Sequence, residues 1–288
     1  PVPRIPVIDS DWWRLTNMPD LGELNGPDPA RQHVVDHGFI QSADGVWQLW
    51  ACVRGTAVGR LLYGWRGRSL TEGPWTEVGV VARAQAEAGE NTKPESICAP
   101  YFFKDGPNYY CFYNSGGIRL MASTDGVNYR RTGADGSGRL KVVGGRDAMV
   151  LKEDDTYFLY STVSTTSAEK FPRGFTIVET STDLEHWSDY TVVSEGGVAG
   201  NGNISAESPF VVKIDGFYYL FRASSITFKT YVYRSSTPFH FGINDDSKLI
   251  TQFDIKAPEI VHHAGQYYIS DLADFQGLRM ARLKWEKA

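Results

Sequence analysis

The fold is decided by the phrase SPFVVKIDGFYYLFRA, residues 208–223. An apolar run leads into Asp215-Gly216, and an aromatic run leads out of it. An Asp-Gly pair between such runs is a strong short-range signal for a β-hairpin, because the central residues of a type I′ turn need a positive φ. The phrase therefore predicts two antiparallel strands joined by a tight turn.

The same phrase recurs along the chain, which is typical of a repeat architecture. Its five copies are GFIQSADGVWQLWACV (38–53), APYFFKDGPNYYCFYN (99–114), DAMVLKEDDTYFLYST (147–162), SPFVVKIDGFYYLFRA (208–223) and APEIVHHAGQYYISDL (257–272). A polar turn that closes on an aromatic residue follows four of them, as SLTEGPW (69–75), STDGVNY (123–129), STDLEHW (181–187) and SSTPFHF (235–241). Two hairpins per repeat make one four-stranded blade.

These repeats predict an all-β fold, a five-bladed β-propeller with four-stranded antiparallel blades around a central channel. The fifth copy shows only three strands, so we expect the N-terminal segment to supply the missing one. No linker or shift in composition divides the chain, and residues 1–288 are interpreted as one propeller domain.

Composition excludes several classes of partner. The net charge is −5 without a long basic run, which argues against nucleic acid. The sequence contains no stretch of about 18 apolar residues, the length that a membrane-spanning helix requires. The three cysteines, Cys52, Cys98 and Cys111, are too few for a disulfide framework, and free thiols are favoured over a Cys98–Cys111 bridge. We expect a secreted or periplasmic protein whose signal peptide is missing from this sequence, with an intracellular one as the alternative; the oligomeric state is open.

Carboxylates recur where the first strand of a blade begins. These positions carry Asp36, Asp147, Glu207 and Glu259. The first strand of each propeller blade lines the central channel, so residues distant in sequence are expected to converge there. Several acids in one low-dielectric funnel repel each other, and this favours one protonated and one ionised carboxyl group near neutral pH. Such a pair suits general acid–base chemistry.

At these residues the chain resembles the five-bladed propeller glycosidases of glycoside hydrolase family 43 and the related families 32, 68 and 117. The matching segments are VVDHGFI around Asp36, GGRDAMVL around Asp147 and SAESPFVVKIDGFYYLF around Glu207, separated by 111 and 60 residues. The resemblance implies that Asp36 is the general base, that Asp147 tunes the pKa of the acid, and that Glu207 is the general acid. It departs from family 43 at His37, where Pro is usual after the base.

The resemblance implies an exo-acting, inverting enzyme of the arabinofuranosidase or xylosidase kind, with a plant or algal oligosaccharide or polysaccharide as substrate. His37, Arg146, Arg222 and Glu259 are candidate substrate-binding residues. No motif for a metal or cofactor is present, although the resemblance allows a structural calcium in the channel. A retaining fructosidase-like or anhydro-galactosidase-like enzyme, and a non-catalytic glycan-binding propeller, are the alternatives.

Overall fold

The structure is a computed structural model that describes residues 1–143, 145–165, 170 and 172–288. These residues form antiparallel sheets, and the helical content among them is limited to short 3-10 turns at Gly22–Leu24, Pro29–Arg31, Ala86–Ala88 and Gly197–Ala199. None of the helical segments in this described part has the length and apolar character that a membrane span requires. The predicted all-β class is confirmed.

The strands are grouped in sequence order into five sheets. Strands β1 (Arg4–Ile8) and β2 (Trp13–Asn17) precede the repeats. The first sheet consists of β3 (His33–Gln41), β4 (Trp47–Thr56), β5 (Gly59–Gly67) and β6 (Thr76–Ala82), with β7 (Glu95–Ser96) parallel to β5. The second consists of β8 (Cys98–Asp105), β9 (Asn108–Asn114), β10 (Ile118–Ser123) and β11 (Arg130–Arg131).

The remaining three sheets follow the same plan of consecutive, antiparallel neighbours. The third contains β12 (Arg146–Glu153), β13 (Thr156–Ser164), β14 (Gly174–Ser181) and β15 (Thr191–Glu195). The fourth contains β16 (Glu207–Ile214), β17 (Phe217–Ser224), β18 (Lys229–Ser235) and β19 (Leu249–Phe253). The fifth contains β20 (Ile260–His263), β21 (Gln266–Asp271) and β22 (Gly277–Lys287).

The N-terminal segment supplies the fourth strand of the fifth sheet, as the sequence predicts. Strand β1 pairs antiparallel with β22, in a register that runs from Arg4 opposite Lys287 to Ile8 opposite Leu283. The resulting order is β1-β22-β21-β20, and β2 pairs with the beginning of β22. This pairing covers backbone groups of β22 that would otherwise form an open edge.

The chain forms two compact units. The first, which we call the Glu207 unit, comprises residues 1–11, 141–271 and 281–288. The second, which we call the Asp36 unit, comprises residues 12–140 and 272–280. The interpretation of residues 1–288 as one domain stays a prediction.

The predicted type I′ hairpin turn is present in two of the blades. Both central residues have a positive φ at Asp215-Gly216 (48° and 84°) and at Ala264-Gly265 (51° and 78°), which is the type I′ geometry. In the second sheet the turn lies one residue after the Asp105-Gly106 pair of its phrase, because Asp105 still pairs with Asn108.

Aromatic side chains fill the core of each unit. In the Glu207 unit, Trp285 packs against Tyr219 with ring centroids 4.8 Å apart. In the Asp36 unit, Trp50 meets Phe102 edge to face at 5.2 Å. Such pairs contribute about 1 kcal/mol each beyond the burial of their area. Cys52, Cys98 and Cys111 carry thiols outside any disulfide, as expected.

Candidate active site

A β-bulge marks the start of the first strand in four of the blades. The register between the first two strands shifts at Val34/His37, Cys98/Tyr101, Arg146/Met149 and Glu207/Phe210. Three residues within these bulges have a positive φ: Ala99 (51°), Asp147 (57°) and Ser208 (46°). Bulges re-aim side chains and are frequent beside active sites.

The fifth blade repeats this geometry just before β20. Ala257 has a φ of 49°, and Ser270 donates its backbone N–H to Glu259 O at 3.1 Å, which places Glu259 opposite Ser270. The five segments therefore align in register as VVDH (34–37), CAPY (98–101), RDAM (146–149), ESPF (207–210) and KAPE (256–259). The first position of each segment is held by Val34, Cys98, Arg146, Glu207 and Lys256.

This register corrects the expectation that the acids occupy equivalent positions. Glu207 holds the first position of its segment, Asp147 the second and Asp36 the third. Glu259 holds the fourth, and the true counterpart of Glu207 in the fifth blade is Lys256. An insertion of one residue in each bulge hides these offsets from a comparison of strand beginnings.

Glu207 is surrounded by hydrogen-bonding and cationic groups. Arg146 Nη2 lies 3.4 Å from Oε1, and Lys256 Nζ lies 3.6 Å from Oε2. Ser225 donates its hydroxyl to Oε2. The side chain is 20 % exposed, so the carboxyl group is partly desolvated yet reachable from solvent.

Asp147 is joined to the backbone next to Glu207. Its Oδ2 accepts the Ser208 N–H at 3.0 Å, and Arg146 Nε lies 3.9 Å from the same oxygen. The bulge conformation of Asp147 directs its carboxylate from β12 toward β16. Asp147 and Glu207 therefore lie near each other, with Arg146 in contact with both. Their catalytic roles stay a prediction.

Arg146 connects the two acids. Its Nη1 donates to Ser164 Oγ at 2.7 Å, and its Nη2 donates to Asn203 O at 3.2 Å as well as contacting Glu207. The side chain is 30 % exposed, so part of the guanidinium remains open to a ligand. Its role in substrate binding stays a prediction.

Arg222 has a structural role, which corrects its assignment as a substrate-binding residue. The side chain is fully buried. Its guanidinium donates to Ser205 O at 2.9 Å, to Gly196 O at 3.1 Å and to Gly200 O at 3.0 Å, besides Ser194 Oγ. Burial lowers its pKa. Arg222 thus secures the loop that leads to Glu207 and is not exposed to a ligand.

Asp36 and His37 belong to the Asp36 unit. Asp36 is half-buried on β3. Its negative charge contributes to the pKa of Arg60: burial acts to lower this pKa, but the interactions with Cys52, Cys98 and Asp36 are larger together, so the pKa of Arg60 is raised. The role of Asp36 as base stays a prediction.

His37 is a buried core residue, which corrects its assignment as a substrate contact. Only 2 % of it is exposed, and its ring meets Phe39 edge to face at 5.6 Å. Its Nδ1 lies 3.3 Å from Val35 O. Burial lowers the pKa of His37 to about 4, so the ring is neutral at neutral pH.

Glu259 is half-buried at the beginning of the fifth blade. Its backbone N–H donates to Ser270 Oγ at 2.9 Å, and this bond fixes the main chain at this position. The predicted contact of Glu259 with substrate stays a prediction.

The described residues offer no group of three or more His, Cys, Asp or Glu side chains arranged to hold a metal ion.

A surface cavity of about 750 Å³ lies in the Asp36 unit, lined by Asp44, Arg66 and Trp75 among others. It contains none of the predicted site residues.

The fold is shared with solved glycosidases. A β-xylosidase matches with a TM-score of 0.63 and 12 % identity over 89 % of this chain and 93 % of that one. A family 43 β-xylosidase/α-arabinofuranosidase from a compost microbial metagenome matches with 0.59 and 16 % over 98 % and 95 %. An exo-1,5-α-L-arabinanase from a bovine ruminal metagenomic library matches with 0.57 and 17 % over 90 % and 94 %.

This likeness defines the fold class, a five-bladed β-propeller of the type found in family 43 glycoside hydrolases. It confirms the fold predicted from the repeats and the resemblance that rests on the segments around Asp36, Asp147 and Glu207. No protein-family model matches the sequence, and no curated protein matches it. At such low identity the likeness establishes the fold alone.

Proposed function

We propose that this chain is a glycoside hydrolase that removes sugars from an oligosaccharide or polysaccharide, in an exo fashion and with inversion, as arabinofuranosidases and xylosidases do. The observation that carries the proposal is the meeting of Glu207 and Asp147 at two bulges that share Arg146. Support also comes from the fold, since the solved structures that share it include β-xylosidases, an arabinanase and an arabinofuranosidase.

Glu207 is the proposed general acid. It transfers its proton to the glycosidic oxygen while the bond from that oxygen to the anomeric carbon breaks. A water molecule attacks the anomeric carbon and gives its proton to a carboxylate base, for which Asp36 is the proposed residue. Sugar and leaving group are released with the atoms of one water added, and no cofactor takes part.

Asp147 is the proposed partner that orients the acid. Its bond to the Ser208 N–H fixes the backbone immediately after Glu207. Thr162 adds a second restraint on the other side of Glu207, because its hydroxyl donates to Ala206 O at 2.6 Å. The acid is thus held from both flanking residues, which limits its motion relative to a bound sugar.

The test is a screen of aryl glycosides and plant or algal oligosaccharides with the native chain and with Glu207→Gln. We expect turnover by the native chain and a loss of about 10²–10⁴-fold in the variant, the range that acid–base catalysis contributes. Glu185→Gln, an exposed glutamate in the loop after β14, is the matched control and should retain full activity. An active Glu207→Gln protein contradicts the assignment of the acid.

A non-catalytic glycan-binding protein is the second candidate. It is favoured by one observation: Glu207 is paired with two cations, as a purely structural carboxylate would be. Calorimetric titration with the same sugars separates the two functions. Binding of sugars without any release of product by the native chain would support this second candidate.

A further inference from the structure

Lys256 lies beside Glu207, although the sequence pattern of carboxylates does not single it out. It occupies the first position of KAPE (256–259), the register position that Glu207 has in its own blade. Its side chain is 14 % exposed. A lysine with so little exposure needs a partner for its charge, and this partner is the proposed acid.

The lysine is held at several points. Its backbone N–H donates to Asp271 Oδ1 at 2.8 Å, which fixes where the side chain begins. Its ammonium group lies 5.3 Å from the centre of the Phe228 ring, donates to Ser225 Oγ, and lies 3.6 Å from Glu207 Oε2. Ser225 is fixed in turn, because its N–H donates to Ile204 O at 2.9 Å.

These contacts determine which way the Ser225 hydroxyl points. A lysine ammonium group has only donors, so Ser225 Oγ must be the acceptor toward Lys256. The single hydrogen of the hydroxyl is then available for Glu207 Oε2. Oε2 is therefore an acceptor with Ser225 and Lys256 beside it, whereas Oε1 faces Arg146 Nη2 at 3.4 Å, a longer contact than the hydrogen bond from Ser225. A proton on Glu207 consequently belongs on Oε1, the oxygen with the weaker contact.

We propose that Lys256 and Ser225 are positioning residues for proton transfer by Glu207, an inference that rests on the proposed function. They occupy Oε2 so that Oε1 carries the transferable proton. In the step itself the Oε1–H bond breaks, the proton joins the glycosidic oxygen, and the electron pair of the broken glycosidic bond goes to that oxygen. The negative charge left on Glu207 is stabilised by Lys256 and the Ser225 hydroxyl.

The experiment compares Lys256→Met, Lys256→Arg and Ser225→Ala with the native chain, using aryl glycosides of the sugar found in the screen. One substrate carries a 2,4-dinitrophenyl leaving group, which departs without protonation, and the other carries an unsubstituted phenyl group, which requires it. Lys229→Met is the matched control, because Lys229 is a lysine of the same unit whose ion pair is formed with Asp254. Thermal unfolding of every variant is followed by circular dichroism.

We expect kcat/KM of Lys256→Met for the phenyl glycoside to fall about tenfold to a hundredfold, part of the contribution of acid catalysis. For the dinitrophenyl glycoside the loss should be less than about threefold, because that reaction bypasses the acid. The alkaline limb of the pH profile should move to higher pH, since removal of a nearby cation favours the protonated carboxyl. Lys256→Arg should return the alkaline limb to its position in the native chain. Ser225→Ala, like Lys256→Met, should lose more activity with the phenyl glycoside than with the dinitrophenyl glycoside.

Equal losses for both leaving groups, with an unchanged pH limb, would overturn the inference and leave Lys256 with a structural role only. If Lys256→Met fails to fold, the comparison is decided by Ser225→Ala, which removes a single oxygen. Failure of the proposed function looks different: the native chain hydrolyses nothing, or Glu207→Gln remains active. In either case the inference falls together with the function on which it rests.

Discussion

Asp147 shows how a single residue can be shaped by its backbone. Its φ of 57° is uncommon for a residue with a side chain, and it places the carboxylate within reach of the Ser208 N–H. The equivalent positions in two other blades hold Ala99 and Ala257, at nearly the same φ. The bulge is therefore a general feature of the blades, and the side chain at Asp147 is what makes it chemically useful.

The burial of a single residue, His37, makes the free energy of unfolding depend on pH. Burial lowers its pKa from 6.5 to about 4, so between these values the unfolded chain binds a proton that the folded chain does not. The free energy of unfolding should therefore fall as the pH drops through this window, by up to about 3 kcal/mol, and be independent of this group above it. Urea unfolding of the native chain and of His37→Phe between pH 7 and pH 4 measures the difference.

The His37→Phe variant should lose this part of the pH dependence. The control His240→Gln replaces an exposed histidine and should keep the dependence of the native chain. Identical slopes for native and His37→Phe proteins would mean that His37 is hydrated and titrates normally in the folded state.

At the scale of elements, buried arginines hold the loops between strands. Arg222 on β17 binds carbonyl oxygens of the loop 196–205, directly before Glu207. In the other unit Arg119 on β10 does the same, with Ala88 O, Gly89 O, Ser115 O and Ser137 O as acceptors. Each arginine satisfies several main-chain oxygens that would otherwise be buried without a donor.

We therefore expect Arg222→Lys to destabilise the chain by about 3 kcal/mol, because an ammonium group cannot reach carbonyl oxygens in the directions of a planar guanidinium. Denaturant unfolding measures the loss. Arg282→Lys, at an exposed position on β22, should change the free energy of unfolding by less than about 0.5 kcal/mol. An Arg222→Lys variant with the same free energy of unfolding as the native chain would show that water can replace the lost hydrogen bonds.

At the scale of the whole molecule, the proposed mechanism fixes the stereochemistry of the product. A single displacement by water inverts the anomeric centre, whereas a covalent intermediate retains it. We expect proton NMR during the first minutes of hydrolysis to show an α-linked substrate releasing the β-sugar before mutarotation. Release of the α-sugar would instead support the retaining, fructosidase-like alternative.

Repeats made most of the architecture predictable. Five copies of a hairpin phrase foretold five four-stranded blades, and the three-stranded fifth copy foretold the pairing of β1 with β22. The meeting of Asp147 with the region of Glu207 followed from the same reasoning.

Side-chain burial was harder to foresee. Arg222 and His37 are polar by type, and only the packing around each one reveals that it is enclosed. The pattern of carboxylates does not indicate Lys256, although the Ala-Pro pair of KAPE (256–259) matches the one in CAPY (98–101). Alignment of these short segments on the residue with positive φ would have found it.

The hydrogen bonds that Arg222 donates to main-chain oxygens have a consequence for the divergence of the sequence. Every amino acid carries a carbonyl, so the positions of residues 196–205 that are not glycine can be exchanged without removing the atoms that anchor them. Gly196 and Gly200 are restricted to glycine by their positive φ of 68° and 96°. Natural drift or directed evolution can thus alter the chemistry of this approach to Glu207 while its path stays the same. New sugar preferences could arise there at little cost to folding.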